Sequence, residues 1–275
     1  MKQKLSILII CLFLFSFKPE STKWVAIGDS ITYLNDHLEE TGNRVSKGYL
    51  SRVTEALSSF TYINKGYNGW TAAAIAGRFN TLEIPKADVY TVFLGTNDWW
   101  AGRPVGKIEN YINNDGNSTL YGSYRIILDG IKNINPHAKI ILITPIQRVD
   151  FVYIAEPTNN AYGSYKSKAG QHLEEFAKAI SAIARLEHIS VVDLYHDKAL
   201  QLKNLVKFKK LKIPSTENYK KYTYPASINI PYDAKRDEYP YPVDAIKMTY
   251  DGLHPSDKGN EVIAKRLIKV FVEKK

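Results

Sequence analysis

The chain has 275 residues, of which 44% are hydrophobic and 24% are charged. This is the composition of an ordinary globular protein, so it excludes a disordered chain, a collagen and a coiled coil. The 37 Lys and Arg residues outnumber the 28 Asp and Glu residues and give a formal charge of +9. The lysines are scattered, and the sequence has neither an arginine-rich arm nor a zinc-ligand spacing, so we expect no nucleic-acid partner.

The N-terminal segment, residues 1–20, has the pattern of an export signal. Two lysines stand within residues 1–4, and an apolar run follows over 5–17. We therefore predict a signal peptide or an N-terminal anchor, and export to the periplasm, the cell surface or the medium of a bacterium. A buried first helix or strand is the alternative. No other apolar run reaches the length of a membrane-spanning helix, so we expect no further membrane contact.

Cysteine occurs once, at Cys11, inside this segment. One cysteine forms no intrachain disulfide, and no metal site can rest on thiolates. The sequence has no His-Glu-x-x-His motif and no carboxylate cluster that suggests a metal, so we predict neither a metal nor a cofactor. We interpret five histidines as structural or exposed: His37, His137, His172, His188 and His196.

Apolar periodicity predicts strands and helices in strict alternation after residue 20. The strands are predicted over 23–27, 60–63, 88–94, 139–143 and 189–194, and the helices over 49–57, 71–82, 122–134, 164–187 and 256–272. Ser256 is suited to cap the last helix. Such alternation is typical of an α/β fold, in which helices cover both faces of a parallel sheet. Five strands favour the flavodoxin-like order 2-1-3-4-5 with right-handed crossovers.

One stretch, residues 203–248, interrupts the alternation. It holds five prolines, which exclude a regular helix, and it is too aromatic for simple disorder. Its tyrosines are Tyr219, Tyr222, Tyr224, Tyr232, Tyr239 and Tyr241. We predict a long loop without secondary structure that is inserted into one domain over 21–275 and packs over the functional site.

Polar clusters follow the first three strands and precede the last helix. They cover residues 28–32, 64–69, 95–98 and 251–255. In open α/β sheets, ligands bind beyond the carboxyl ends of the strands. We therefore expect these clusters to meet at one edge of the sheet.

The clusters together hold the parts of an acyl-transfer site. Ser30 follows the first strand through a glycine turn, and a serine hydroxyl needs a neighbouring base to act as a nucleophile. His254 is the candidate base, because histidine changes charge near neutral pH. Asp251 precedes it by three residues, on a turn that Gly252 permits, and can accept a hydrogen bond from the imidazole Nδ1.

Stabilisation of an oxyanion needs donors aimed at the developing charge. The backbone amides of Ser30 and Gly69 and the side-chain amide of Asn97 are suitable. Each cluster by itself has a simpler interpretation: a phosphate-binding turn at 28–30, a plain turn at 95–98 and a helix-cap loop at 251–254. Their occurrence together, each at its own strand end, favours the acyl-transfer site.

The clusters resemble the four blocks of the SGNH hydrolases, in the GDSL esterase/lipase superfamily. The matching residues are Gly28-Asp29-Ser30, Gly69 in its Asn-Gly loop, Gly95-Thr96-Asn97-Asp98 and Asp251-Gly252-Leu253-His254. The resemblance implies a three-layer α/β/α sandwich. It also implies that Ser30 is the nucleophile, His254 the base and Asp251 the residue that orients it, with Ser30, Gly69 and Asn97 as oxyanion donors.

Two details qualify the resemblance. Gly66 lies in the same loop as Gly69 and is the alternative oxyanion glycine, although Gly69 directly precedes the start of the next helix. The Gly-x-Ser-x-Gly elbow of the α/β-hydrolase fold is absent, because Thr32 occupies its last position.

Aromatic residues near the site suggest the substrate. We predict Trp99, Trp100, Tyr239 and Tyr241 as contacts for sugar rings, and few Leu or Phe residues in the insertion speak against a lipid groove. The predicted function is a serine esterase that removes O-acetyl groups from carbohydrates through an acyl-enzyme. The partner is then a small-molecule or glycan ester, and the sequence predicts no oligomeric state. Alternatives are a lipase, lysophospholipase or arylesterase, and a non-catalytic exported glycan-binding module, in which the aromatic residues only pack the loop.

Overall fold

The computed structural model describes residues 21–273, so the predicted export segment lies outside the described residues. The strands are β1 (Thr22–Gly28), β2 (Phe60–Gly66), β3 (Val89–Phe93), β4 (Lys139–Ile143), β5 (Phe151–Val152), β6 (Asn160–Ala161), β7 (Ser190–Val192), β8 (Lys209–Lys212) and β9 (Tyr219–Tyr222). The helices are α1 (Ser30–Tyr33), α2 (Tyr49–Ala56), α3 (Ala72–Arg78), α4 (Thr96–Trp100), α5 (Ile108–Ile112), α6 (Leu120–Ile134), α7 (Leu173–Leu186), α8 (Leu202–Leu205) and α9 (Asp257–Val272).

A central sheet of five parallel strands has the order β2-β1-β3-β4-β7. This is the order 2-1-3-4-5 when the strands of this sheet alone are counted, so the predicted strand order is confirmed. The register aligns the strand ends, because Gly28 pairs with both Gly66 and Phe93, and Phe93 pairs with Ile143. The loops that leave these strands therefore begin at one common edge.

Two apolar layers cover the two faces of the sheet. On one face, side chains of α3, α6 and α7, such as Ile127 and Ile180, pack on Val92. On the other face, side chains of α2 and α9, such as Ile263, pack on Ile141 of β4. Successive strand residues point to opposite faces, so strands buried on both sides read as continuous apolar runs. The three-layer α/β/α sandwich is thereby confirmed.

The helix predicted over 164–187 begins later than the sequence pattern suggested, at Leu173. Ala169 and Gly170 have φ of +49° and +77°, a left-handed conformation that cannot continue a helix. The helix start is stabilised by Glu175, whose carboxylate accepts a hydrogen bond from the His172 backbone amide at 2.7 Å. The part of the prediction before Leu173 was wrong because apolar spacing alone does not detect these two backbone conformations.

The insertion, residues 203–248, has more regular structure than we predicted. Strands β8 and β9 form an antiparallel hairpin, and short 3₁₀ turns follow at Ala226–Asn229 and Val243–Ala245. Tyr241 packs with residues of the segment after β4 in a small apolar cluster of its own. Prolines do exclude a long helix here, but none lies within β8 or β9: Pro214 is in the loop between the two strands, and the other four follow the hairpin.

Within residues 21–273, no helix combines the length and the apolar character that crossing a bilayer requires.

Candidate active site

Ser30 lies at the first position of α1, directly beyond the end of β1. The Asp29 carboxylate caps this helix by accepting a hydrogen bond from the Ile31 amide at 3.0 Å. A Cβ on Gly28 would lie 2.0 Å from the Thr32 hydroxyl oxygen, so only glycine allows the chain to turn so tightly into α1. The turn holds Ser30 at the carboxyl edge of the sheet.

The turn before α9 is organised by the Asp251 side chain. Its Oδ1 accepts hydrogen bonds from the backbone amides of Leu253 at 3.0 Å and His254 at 2.7 Å. Gly252 has a φ of +93°, and a Cβ there would lie 2.0 Å from the carbonyl oxygen of Asp150. Asp251 thus shapes the turn as well as facing the imidazole.

The structure brings Ser30, His254 and Asp251 into one hydrogen-bonded chain. His254 Nε2 lies 2.9 Å from Ser30 Oγ, and His254 Nδ1 lies 2.6 Å from Asp251 Oδ2. All three residues are buried, and Asp251 is fully so. This is the nucleophile, base and orienting-carboxylate geometry that acyl transfer by a serine requires.

The imidazole is held by aromatic neighbours that the sequence interpretation missed. The ring of Tyr250 stacks on His254 at 5.9 Å between centroids, and Phe151 meets it edge-on at 5.5 Å. The Val152 amide donates to the Asp251 carbonyl at 3.1 Å and so ties the two segments together. Phe151 follows β4, and applying the strand-end rule to this fourth strand would have found it.

The candidate oxyanion donors lie in the loops after β2 and β3. Asn97 Nδ2 donates to the Trp70 carbonyl at 3.0 Å, which places the Asn97 amide beside the loop of Gly69. Gly69 has a φ of +75°, and no atom lies within 4 Å of where its Cβ would be. At Gly66 a Cβ would lie 2.2 Å from the Tyr33 amide nitrogen, so that glycine serves the packing of β2 against α1.

The family model of the GDSL-like lipase/acylhydrolases matches residues 26–212. The chain belongs to the GDSL-like lipase/acylhydrolase family. It is therefore a serine-type carboxylic ester hydrolase. A comparison with curated proteins found no match.

Solved structures agree with this assignment. A possible lipase from Chitinophaga pinensis is 62% identical to this GDSL hydrolase, with a TM-score of 0.90 over 91% of this chain and 98% of that one. A Lactobacillus plantarum protein is 21% identical, with a TM-score of 0.61 over 90% and 96% of the two chains. A variant of Axe2, an acetyl-xylooligosaccharide esterase from a Geobacillus, is 16% identical, with a TM-score of 0.50 over 92% and 95%. The last two share the fold alone.

Two buried carboxyl groups, those of Asp29 and Asp98, accept backbone hydrogen bonds near the site of the GDSL hydrolase. Burial raises the pKa of Asp29 to about 6, against the opposing effects of the Ile31 amide and the His254 charge. Burial likewise raises the pKa of Asp98 to about 6. Asp98 Oδ2 accepts a hydrogen bond from the Ala72 amide at 2.8 Å, which fixes the start of α3, and Oδ1 is buried without a hydrogen-bond partner among residues 21–273.

Two of the four aromatic residues predicted to contact substrate are in the core. Trp99 is fully buried, and its indole donates to the Gln171 carbonyl at 3.0 Å. Tyr241 is 1% exposed and donates to the Asp150 carbonyl at 2.6 Å. These two predictions were wrong, because neither ring has a face that a ligand could reach.

The other two rings are half-buried and already covered on one face. Lys168 Nζ lies 4.5 Å from the ring centroid of Trp100, and the Arg44 guanidinium lies 4.8 Å from that of Tyr239. Neither residue lines the pocket of about 120 Å³ beside the imidazole. That pocket is lined by Leu34, Glu40, Asn68, Phe151, Tyr153, Asn159, Tyr250 and His254.

The insertion packs against the segment around Asp150, behind the turn of residues 251–254, instead of covering the pocket. Lys209 Nζ forms a buried ion pair with Asp150 Oδ2 at 2.6 Å. The Gly163 amide donates to the other carboxylate oxygen at 3.0 Å, and the Tyr165 hydroxyl also bonds to it. The expectation that the insertion packs over the site is thus corrected. The insertion contacts the site only indirectly, through the Asp150 segment.

One group of three possible metal-ligating side chains occurs within residues 21–273. His37, Glu39 and Glu40 have ligand atoms within 4.8 Å of one another. His37 Nδ1 lies 3.4 Å from Glu39 Oε1, and the Tyr33 hydroxyl donates to Glu40 at 2.9 Å. These contacts account for the cluster as a surface ion-pair and hydrogen-bond group.

Proposed function

We propose that this GDSL hydrolase is a serine esterase that removes O-acetyl groups from carbohydrates, with Ser30, His254 and Asp251 as its catalytic residues. The observation that carries the proposal is the hydrogen-bonded chain from Ser30 Oγ through His254 to Asp251. His254 also lines a pocket of about 120 Å³, which we call the catalytic pocket. Pockets for drug-sized ligands run from about 300 Å³ upward, so this size favours a short acyl group.

The first half-reaction forms an acetyl-enzyme. His254 Nε2 takes the proton of Ser30 Oγ as this oxygen attacks the ester carbonyl carbon. Asp251 keeps the proton on Nδ1 and stabilises the imidazolium that forms. The amides of Ser30, Gly69 and Asn97 would donate to the oxyanion. Collapse of the tetrahedral intermediate breaks the bond to the sugar oxygen, which takes the proton from His254.

The second half-reaction releases acetate. A water molecule gives a proton to His254 and attacks the acetyl carbonyl carbon. The new tetrahedral intermediate collapses, the Ser30 oxygen leaves and regains its proton from His254, and acetate departs. The cycle needs no metal and no cofactor, since the imidazole performs every proton transfer.

Residues that border the pocket support a sugar as the alcohol part of the ester, which would lie at the mouth of the pocket. Tyr153 and Tyr250 provide flat apolar rings, and Asn68 and Asn159 provide amide groups for hydroxyls. The pattern of residues 1–20 supports action outside the cytoplasm, where acetylated polysaccharides are found.

Acetate release tests this proposal. We expect the protein to release acetate from acetylated oligosaccharides and to prefer p-nitrophenyl acetate to the octanoate ester. Ser30→Ala should lower both activities by about 10³ or more. Ser58→Ala, an exposed serine that precedes β2 at the opposite edge of the sheet, is the matched control and should keep full activity.

The other outcomes separate the alternatives. A preference for octanoate overturns the acetylesterase and favours a lipase, whereas residual activity of Ser30→Ala within tenfold of the unmodified protein removes Ser30 as the nucleophile. Absence of turnover on every ester favours a glycan-binding module.

A further inference from the structure

A second and larger cleft, of about 540 Å³, lies next to the catalytic pocket. We name it the tyrosine cleft. One wall comes from the segment that contains β5 and β6 and the other from the insertion, and its lining includes Phe151, Tyr162, Tyr165, Lys166, Asn229 and Tyr232. Its volume lies within the range of about 300–1,000 Å³ that is typical of ligand sites.

The β5–β6 hairpin separates this cleft from the catalytic pocket and borders both. Phe151 lines both cavities, and its ring lies 5.5 Å from the His254 imidazole. Of two consecutive residues, Asn159 faces the catalytic pocket and Asn160 the tyrosine cleft. A linear ligand that presents an ester to Ser30 therefore enters the cleft when it extends across Phe151.

The lining of the cleft suits a sugar ring. Tyr232 offers a ring face from the insertion, and the exposed Asn229 offers a side-chain amide that can donate and accept. The Asn229 amide can bond to the hydroxyls of a sugar, whereas a purely apolar ligand offers it no such bond.

The positive charge near the cleft indicates that its ligand is an anion. Lys166 Nζ lies 5.4 Å from the ring centroid of Tyr162 and 6.0 Å from that of Tyr165, and Lys168 Nζ lies 6.0 Å from the Tyr162 ring. Neither ammonium forms an ion pair within the part of the chain that the structure describes. The nearby Asp150 carboxylate is already neutralised by Lys209 at 2.6 Å. The rim of the cleft therefore carries uncompensated positive charge, which attracts an anion.

We propose that the tyrosine cleft binds a sugar residue that carries a carboxylate, so that the substrate is an acetylated acidic glycan. The proposal rests on the proposed function for the identity of the ester. The Tyr232 ring holds the sugar, and Lys166, which lines the cleft, pairs with its carboxylate, while Lys168 adds positive charge nearby.

Binding to the Ser30→Ala protein tests the cleft without any turnover. The probes are cellotetraose and the tetramer in which each C6 is oxidised to a carboxylate, a pair that differs only in the group at C6. Calorimetry should show the uronate binding about fivefold more tightly, the upper end for one exposed ion pair. The preference should shrink as salt screens the charges.

Three variants of the Ser30→Ala protein locate the effect. Replacing both lysines, Lys166→Gln with Lys168→Gln, should make the two affinities equal. Lys23→Gln with Lys86→Gln, which removes two charges at exposed lysines at the opposite edge of the sheet, should keep the preference. Tyr232→Ala should weaken both tetramers, and Asn229→Ala, a smaller change at an exposed residue, should do so less.

Equal affinities in the Ser30→Ala protein, or a preference that survives the double lysine change, overturn the proposal. Lack of binding by either tetramer in the millimolar range also overturns it. Failure of the proposed function is a separate result, because it appears as absent hydrolysis of p-nitrophenyl acetate by the unmodified protein.

Discussion

Asn97 lies in α4 at the carboxyl edge of the sheet, and its side-chain amide has two N–H groups. One donates to the Trp70 carbonyl at 3.0 Å, which leaves the other available to a developing oxyanion. The predicted role in catalysis and a purely structural role as a turn residue lead to different measurable effects.

Asn97→Ala should lower kcat by about 10²–10³, which is the usual loss for one oxyanion donor. KM should change little, because this donor acts mainly when the carbonyl oxygen becomes negative. Steady-state kinetics and the melting temperature should be measured on the same preparation. Unchanged turnover together with a lowered melting temperature would assign Asn97 to the scaffold.

Asp98→Asn should reduce the pH dependence of stability. Burial raises the pKa of Asp98 to about 6, well above the ordinary value of about 4. The folded state then binds the proton more tightly than the unfolded state, so stability falls as pH rises from about 4 to about 6. Asparagine keeps an acceptor for the Ala72 amide and does not titrate.

The free energy of unfolding of Asp98→Asn relative to the unmodified protein should therefore rise between about pH 4 and pH 7. The expected rise is about 2–3 kcal/mol. Urea unfolding at both pH values measures it, and the Asp29 contribution is common to both proteins. A difference that is the same at both pH values would show that folding does not raise the pKa of Asp98.

At the scale of elements, the catalytic turn depends on the segment that follows β4. The Val149 amide donates to the Gly252 carbonyl at 3.0 Å, and the Val152 amide donates to the Asp251 carbonyl at 3.1 Å. Gly252 allows this close approach, since any Cβ there would meet the Asp150 carbonyl oxygen. The position of His254 relative to Ser30 therefore depends on the packing of two backbone segments.

Gly252→Ala should lower kcat/KM by about 10² or more, because a misplacement of about 1 Å in a catalytic group has that effect. Gly116→Ala is the matched control. Gly116 also has a positive φ, +76°, but no atom lies within 4 Å of its Cβ position. The control should lose about 1–2 kcal/mol of stability from backbone strain and keep its activity. Equal activity losses in both variants would assign the effect to strain instead of the clash with Asp150.

At the scale of the whole molecule, a buried ion pair joins the insertion to the segment that supports the site. The side chains of Lys209 and Asp150 are 3% and 7% exposed, with 2.6 Å between Nζ and Oδ2. Lys209 also donates to the Ile230 carbonyl at 2.6 Å, which fixes a second part of the insertion. This pair holds the wall of the tyrosine cleft in place.

Lys209→Met should lower the free energy of unfolding by about 3–5 kcal/mol, because it leaves a buried carboxylate without its cation. Adding Asp150→Asn should recover part of the loss. Lys221→Met is the control, since Lys221 and Asp244 form an ion pair with side chains 57% and 59% exposed. The control should lose less than about 1 kcal/mol. Similar losses in both single variants would show that the buried pair has no special role.

The fold and the meeting of the site residues were accessible from the sequence because both depend on local patterns. Strands such as β3 and β4, buried on both faces, are recognisable as apolar runs, and their alternation with helices implies a parallel sheet. The carboxyl ends of parallel strands share one edge, so Ser30 and Asn97 were expected there before any distance was known. Asp251 and His254 are three residues apart, and a single turn sets their geometry.

Only the tertiary structure decided which aromatic residues are available to a ligand. Both rings are buried, and Trp99 donates a hydrogen bond to the carbonyl of Gln171, 72 residues later, while Tyr241 donates to that of Asp150, 91 residues earlier. Such burial depends on contacts between distant segments, and no local pattern encodes it. Phe151 and the tyrosine cleft arise in the same way, because the insertion and the segment after β4 form a cavity only when the folded sheet brings them together.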